Sequence, residues 1–240
     1  MTLPEEFVEV PQQSPASPSG RDHAMRNWTA VVALAVIALL AFAALGQNVL
    51  ERETSLIDIR VRDWVHTHQT LALIGFAQWL SKYGSVTPLI LVAITAALYL
   101  LYHRRYVSAL PVLVAPVLGV EAYATLKHLF ARARPSELAT ALEGGTYSFP
   151  SAHATSSSAI CCTLAYVFWR ERLVNDTVAL AFGILVPLCV GLSRIYLDVH
   201  WTTDVLGGWS AGILVAALSA ALYNSIRHMQ ARRQSTGEGN

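Results

Sequence analysis

The chain has 240 residues, 54% of them hydrophobic and 14% charged, with a formal net charge of +1 and a mean hydropathy of +0.43. That balance excludes an ordinary soluble globular domain and carries no nucleic-acid signature. Cys161, Cys162 and Cys189 all lie in apolar runs, two of them adjacent, which excludes a disulfide framework and reads as small buried hydrophobes.

Met1 to Asn27 is rich in Pro, Ser, Gln and Glu and too poor in apolar residues to pack alone, so it is expected as a flexible N-terminal tail. It is acidic and long before any apolar core, unlike a cleavable signal. A bilayer-spanning helix takes about 20 mostly apolar residues. On that measure the chain predicts an all-α fold, a six-transmembrane helix bundle within residues 28–228. The spans are Trp28 to Gln47, Tyr83 to Tyr102, Val107 to Ala131, Ser151 to Arg170, Thr177 to Leu192 and Thr202 to Ile226, with residues 229–240 as a C-terminal tail. Ser151 and Thr202 are suited to helix starts, because a hydroxyl can cap exposed N–H groups. No internal repeat of the transporter kind is present.

The connection Glu51 to Gly84 is longer than a turn requires. It begins polar, with Glu51, Arg52, Glu53, Asp58, Arg60, Arg62 and Asp63, and then becomes amphipathic. Leu71 to Leu80 is too short to span and reads as an interfacial helix between spans 1 and 2, either a rim for lipid access or a lid closing one end of the bundle. Basic residues set the orientation. Arg21, Arg26, Arg104, Arg105, Arg170, Arg172, Arg227, Arg232 and Arg233 fall on one side, which is then cytoplasmic and carries both termini. The polar motifs described next fall on the other, extracytoplasmic side.

Lys127 and Arg134 are seven residues apart, nearly two helical turns, so on a continuous helix they point the same way about 10 Å apart along the axis. Two long side chains at that spacing can converge on one anion. Pro135 places Arg134 at or just past the helix end. Glu121, deeper in the same span, shares a face with His128 and Arg132 and is expected to make a structural polar contact. Pro150-Ser151-Ala152-His153 opens the fourth span. Free N–H groups there, with the Ser151 hydroxyl, form an anion site that sets His153 beside the anion. Tyr147, just upstream, shapes the entrance or anchors at the interface.

Between the fifth and sixth spans stands Ser193-Arg-Ile-Tyr-Leu-Asp-Val-His200-Trp-Thr-Thr-Asp204. Asp204 at i+4 can hold one ring nitrogen of His200 and leave the other as a free base. Arg194 offers a planar fork suited to phosphate oxygens. Asp198 carries no assigned role. Gly208 and Gly212 form a Gly-x-x-x-Gly pair, and Ser156, Ser157 and Ser158 keep the fourth span small-sided, so the two histidine-bearing helices can pack closely. No carboxylate cluster or Cys/His spacing suits Mg²⁺ or Zn²⁺, so no metal or other cofactor is expected.

The three ordered pieces, Lys-x6-Arg-Pro, Pro-Ser-x-His and Ser-Arg-x5-His-x3-Asp, resemble the type 2 phosphatidic acid phosphatase (PAP2) superfamily over roughly Tyr83 to Tyr223. One position departs, since the family usually has Gly where Ala152 stands. The resemblance implies that residues 28–228 form a metal-independent membrane phosphatase acting through a phosphohistidine. In that scheme His200 is the nucleophile, Asp204 orients it, and His153 protonates the leaving group. Lys127, Arg134, Ser151, the Ala152 backbone and Arg194 bind phosphate, and Ser193 offers a supporting hydrogen bond. The partner is then a membrane lipid phosphate, with undecaprenyl diphosphate as first choice and phosphatidic acid or phosphatidylglycerol phosphate next. Two relatives of the same fold stand as alternatives, a non-hydrolytic lipid-phosphate-binding or scramblase-like protein and a vanadium haloperoxidase; six spans argue against the latter.

Overall fold

Nine helices follow one another among the residues described by the computed structural model, which are 20–51, 55–143 and 145–237. They are α1 (Gly20–Leu50), α2 (Leu56–His68), α3 (Leu71–Tyr83), α4 (Val86–Tyr102), α5 (Tyr106–Phe130), α6 (Glu137–Glu143), α7 (Ala152–Arg170), α8 (Asp176–Tyr196) and α9 (Thr202–Gly237). Among the described residues β-structure is confined to one isolated bridge, Ala133 to Tyr147. Two expected tails are partly helical. Of the N-terminal tail, residues 1–19 lie outside the described residues, while α1 already begins at Gly20; at the other end α9 continues to Gly237.

By length and composition four segments can cross a membrane: Trp28–Leu50, Tyr106–Phe130, Asp176–Tyr196 and Thr202–Arg233. Helices α3 and α4 together make a fifth, bent by 47° at the break between them, as in a broken span or a re-entrant pair. By this measure four or five of the six expected spans are supported. The Leu71 to Leu80 segment is helical as expected, and it continues through a bend into α4. At that bend Gly84 lies against α8, where an added Cβ would come within 2.3 Å of Val190. Helix α2, within the polar half of the same connection, had no distinct signal in the sequence.

The remaining candidate span, α7, is enclosed by α4, α5, α8 and α9. Its first half, Ala-His-Ala-Thr-Ser-Ser-Ser-Ala, is too polar for lipid and does not have to meet lipid. Gly212 of α9 sits so close to it that a Cβ would fall 2.4 Å from the Thr155 carbonyl oxygen and 2.6 Å from the Ser158 Cβ; at Gly208 the nearest atoms, Ala154 Cβ and the Ser151 oxygen, would be at 2.8 Å. Large apolar side chains of α1, α4 and α8, such as Ile37, Leu98 and Leu180, point outward, the inverse of a water-soluble pattern. Leu100, Val112, Ile160, Val167 and Tyr223 close the interior. At the arginine-rich end Glu171 accepts from Arg105 at 2.9 Å and from Ser108 and Tyr223 at 2.7 Å each, tying α7 to α5 and α9. The motif residues lie at the opposite end.

Candidate active site

His200 lies in the short link between α8 and α9 and is 3% exposed. The link turns at Asp198, which adopts φ 53, a left-handed conformation that aspartate tolerates better than most residues. Arg62 of α2 donates to both Asp198 oxygens, at 2.8 and 3.0 Å, and His66 Nε2 lies 3.0 Å from the same carboxylate. The first of these bonds holds the Arg62 pKa above its ordinary value. Asp198 thus fastens α2 to the histidine loop.

Helix α9 starts at Thr202, as its sequence predicts. Asp204, in the first turn, reaches back to accept from the Trp201 N–H at 2.9 Å, half of a capping box. The same Oδ2 lies 3.3 Å from His200 Nδ1. On the other side of the ring, Arg134 Nη1 stands 3.3 Å from Nε2. Arginine only donates, so Nε2 is bare and Nδ1 carries the proton toward Asp204. Burial holds the His200 pKa well below 6.5, and Arg134, Arg194 and Lys127 push it the same way. The imidazole is therefore a neutral base with its free nitrogen turned toward cations.

Those cations arrive by different routes. Helix α5 ends at Phe130, and Ala131 caps it with φ 46 while donating to the Lys127 carbonyl at 3.0 Å. Arg134 therefore does not continue the Lys127 helix face, as the seven-residue spacing suggested. It reaches the site from a loop, donating to Gly145 O at 2.7 Å and Val199 O at 2.8 Å. Lys127 donates to Tyr147 O at 3.0 Å, which gives Tyr147 a positioning contact. Arg194, 2% exposed, donates to the Ser81 hydroxyl and to the Glu143 carboxylate, and its Nε has no partner among the described residues. Burial works against the Glu143 charge, yet Arg194 beside it holds that carboxyl below its usual pKa.

His153, in the first turn of α7, lies against the Ser81 backbone and within electrostatic range of Arg194, Glu143 and His200. Ser151 caps α7, accepting from the Ala154 N–H at 3.5 Å, and its own N–H donates to Asp204 O at 3.0 Å. Its O–H donates to no described residue. Ala152 is the first residue of the helix. Ser193 does not join the cluster, since its hydroxyl donates at 2.7 Å to Val190 O of its own helix. Glu121 also departs from expectation: it is exposed on α5 and has no polar contact among the described residues.

Four contributors carried no site signal in the sequence. Ser81 and Glu143 hold Arg194, as above. Arg132 donates to Asp204 Oδ1 at 2.7 Å and to Asp58 Oδ2 at 2.8 Å. Asp58, 1% exposed, also accepts from the Thr203 N–H at 2.8 Å and its hydroxyl at 2.7 Å. Arg132 falls inside the Lys-x6-Arg-Pro stretch, a position that could have marked it; Asp58 is 74 residues away from it with no local pattern.

The fold and the site together define a multi-pass helical membrane protein with a buried histidine among cations. The profile of the PAP2 superfamily matches residues 89–227, and the chain belongs to that family. Among curated relatives, it is 27% identical over 165 residues to an undecaprenyl-diphosphatase of Sulfolobus acidocaldarius, covering 66% of this chain and 74% of that protein. It is 32% identical over 109 residues to phosphatidylglycerophosphatase B of Bacillus subtilis, covering 44% of this chain and 53% of that protein. The chain thus spans about half the length of the Bacillus relative. The crystal structure of a transmembrane PAP2-type phosphatidylglycerolphosphate phosphatase from Bacillus subtilis shares the fold. Its TM-score is 0.65 at 24% identity, over 80% of this chain and 94% of that one.

Proposed function

We propose that this protein is a metal-independent membrane phosphatase that removes the terminal phosphate of a lipid phosphate or isoprenoid diphosphate through a phosphohistidine. The observation that carries the reading is the His200 ring, with Nδ1 on Asp204 and bare Nε2 facing Arg134. Nε2 attacks phosphorus; the N–P bond forms as the P–O bond to the lipid breaks. The leaving oxygen takes the bond pair and a proton from His153. Water then attacks phosphorus, His153 accepts its proton, and the N–P bond breaks to release phosphate and free imidazole. Lys127, Arg134, Arg194 and the Ser151 O–H stabilise the charge spread over the transferring group. A group of cations in place of a carboxylate cluster supports chemistry without a divalent ion.

The basic ends of the helices favour cytoplasmic termini and an extracytoplasmic pocket. Undecaprenyl diphosphate is the first substrate, in line with the relative that matches over 74% of its length. Phosphatidylglycerol phosphate is the second reading, favoured by the name of the Bacillus relative. The test is phosphate release by purified protein from a panel of both lipids and phosphatidic acid, with and without EDTA. Release that survives EDTA and is inhibited by vanadate is expected. Activity lost in EDTA and restored only by Mg²⁺ overturns the mechanism, and no release from any of these lipids overturns the function.

A further inference from the structure

Behind Asp204 runs a chain of alternating charge: Asp58, Arg132, Asp204, His200. The Arg132 fork is divided, with Nη2 on Asp58 at 2.8 Å and Nη1 shared between Asp204 and the Thr203 hydroxyl at 2.7 Å each. Its guanidinium also lies 5.5 Å from the centre of the Trp201 ring. Both carboxylate side chains are fully shielded from solvent, so each depends on this one arginine for its counter-charge. Asp58 in addition accepts two bonds from Thr203, in the first turn of α9, and so grips the helix start that presents Asp204. Asp58 and His200 line the same narrow crevice, with Arg62, Asp198 and Trp201.

We infer that Asp58 is a positioning residue for the nucleophile: through Arg132 and Thr203 it fixes the Asp204 carboxylate, which in turn fixes the His200 ring with Nε2 bare. This rests on the phosphohistidine reading above. The charge count gives it a second role. With His200 neutral the four groups sum to −1, and the positive charge that His200 gains on attack brings them to zero. Without the Asp58 charge, the same step leaves a net +1 in a buried site already facing Arg134, Lys127 and Arg194. Outside this chain Glu143 from α6 also favours a positive charge on His200, and His153 from α7 opposes it.

The test compares wild-type protein with Asp58→Asn and Arg132→Lys, purified at full length, by rapid quench with a radiolabelled lipid phosphate that the wild type hydrolyses. Asp58→Asn should slow phosphoenzyme formation and kcat by about 10- to 100-fold, below the loss seen when a histidine's direct carboxylate partner is removed. KM should stay nearly constant. The acid limb of kcat/KM should move to lower pH, because the imidazolium loses support, and Asp58→Glu should restore it. Arg132→Lys, which keeps the charge and loses the fork, should also slow the step, and it decides the matter if Asp58→Asn does not fold. Wild-type rates in these variants overturn the inference, as does a loss of amplitude with an unmoved acid limb, which is what a merely structural residue gives. A wild type that turns over lipid without any phosphohistidine sinks the underlying mechanism instead.

Discussion

Gly212→Ala tests whether the two histidines depend on the close approach of α7 and α9. The added Cβ would sit 2.4 Å from the Thr155 carbonyl oxygen and 3.0 Å from the Ala159 nitrogen, both backbone atoms that cannot rotate away. Ordinary Cβ contacts begin near 3.4 Å, so the helices must separate locally by about 1 Å. Overpacking of this kind costs about 1–3 kcal/mol, partly offset by about 1 kcal/mol from replacing glycine inside a helix. The net loss of stability is therefore about 0–2 kcal/mol. The larger effect falls on turnover. Thr155 is half a turn beyond His153, and Gly212 follows Asp204 on the same helix, so separation moves acid and nucleophile apart. A displacement of about 1 Å costs about 100-fold in rate. Phosphate release and thermal unfolding in detergent read both quantities. Gly75→Ala in α3, where nothing lies within 4 Å of the new atom, is the control: kcat should stay unchanged and the unfolding temperature should not fall, since alanine is favoured over glycine inside a helix by about 1 kcal/mol. A Gly212→Ala protein with wild-type kcat and wild-type unfolding temperature refutes the reasoning.

His200→Ala should abolish the acid-labile phosphoenzyme, while His153→Ala should slow turnover by about 100-fold or more on lipid substrates and by less on an activated aryl phosphate, whose leaving group needs no proton; phosphoenzyme accumulating in His200→Ala but not in His153→Ala reverses the roles. His200 attacks as the neutral base and its pKa is held below 6.5, first by burial and then by Arg134, Arg194 and Lys127. The acid limb of kcat/KM should therefore be centred below 6.5, with a separate alkaline limb where His153 loses the proton it donates, and an acid limb centred above 6.5 counts against the assignment. Glu143 pairs with Arg194. Glu143→Gln should tighten inhibition by vanadate about tenfold, or about 1.4 kcal/mol, and weaker inhibition in a competition assay contradicts that. Cysteine placed at Ala141 should react with an impermeant thiol reagent on intact cells and cysteine at Asn175 should not; the opposite labelling inverts the topology.

The parts of the site legible in the sequence are those set by short-range geometry. Asp204 meets His200 because both belong to one helix start, where a side chain three or four residues on reaches back to the cap. Ser151 caps α7 for the same local reason. The small residues of α7 and the Gly208/Gly212 pair also announced a close crossing, since a missing Cβ is visible in the sequence. Apolar length disclosed most of the spans. Helix α7 stands apart: its polar first half keeps it below the hydropathy of the other spans, and it is sheathed by its neighbours. Only the tertiary structure decided the rest. The Lys127 spacing suggested one helix face, but the left-handed Ala131 ends α5 and brings Arg134 in by another path. Arg194 pairs with Glu143 across 51 residues, and Asp58 reaches Arg132 across 74. Such contacts leave no periodic trace along the chain. Their energy comes from burying opposite charges together away from water, and that condition exists only once α2, α6 and the α5–α7 loop have closed over the start of α9.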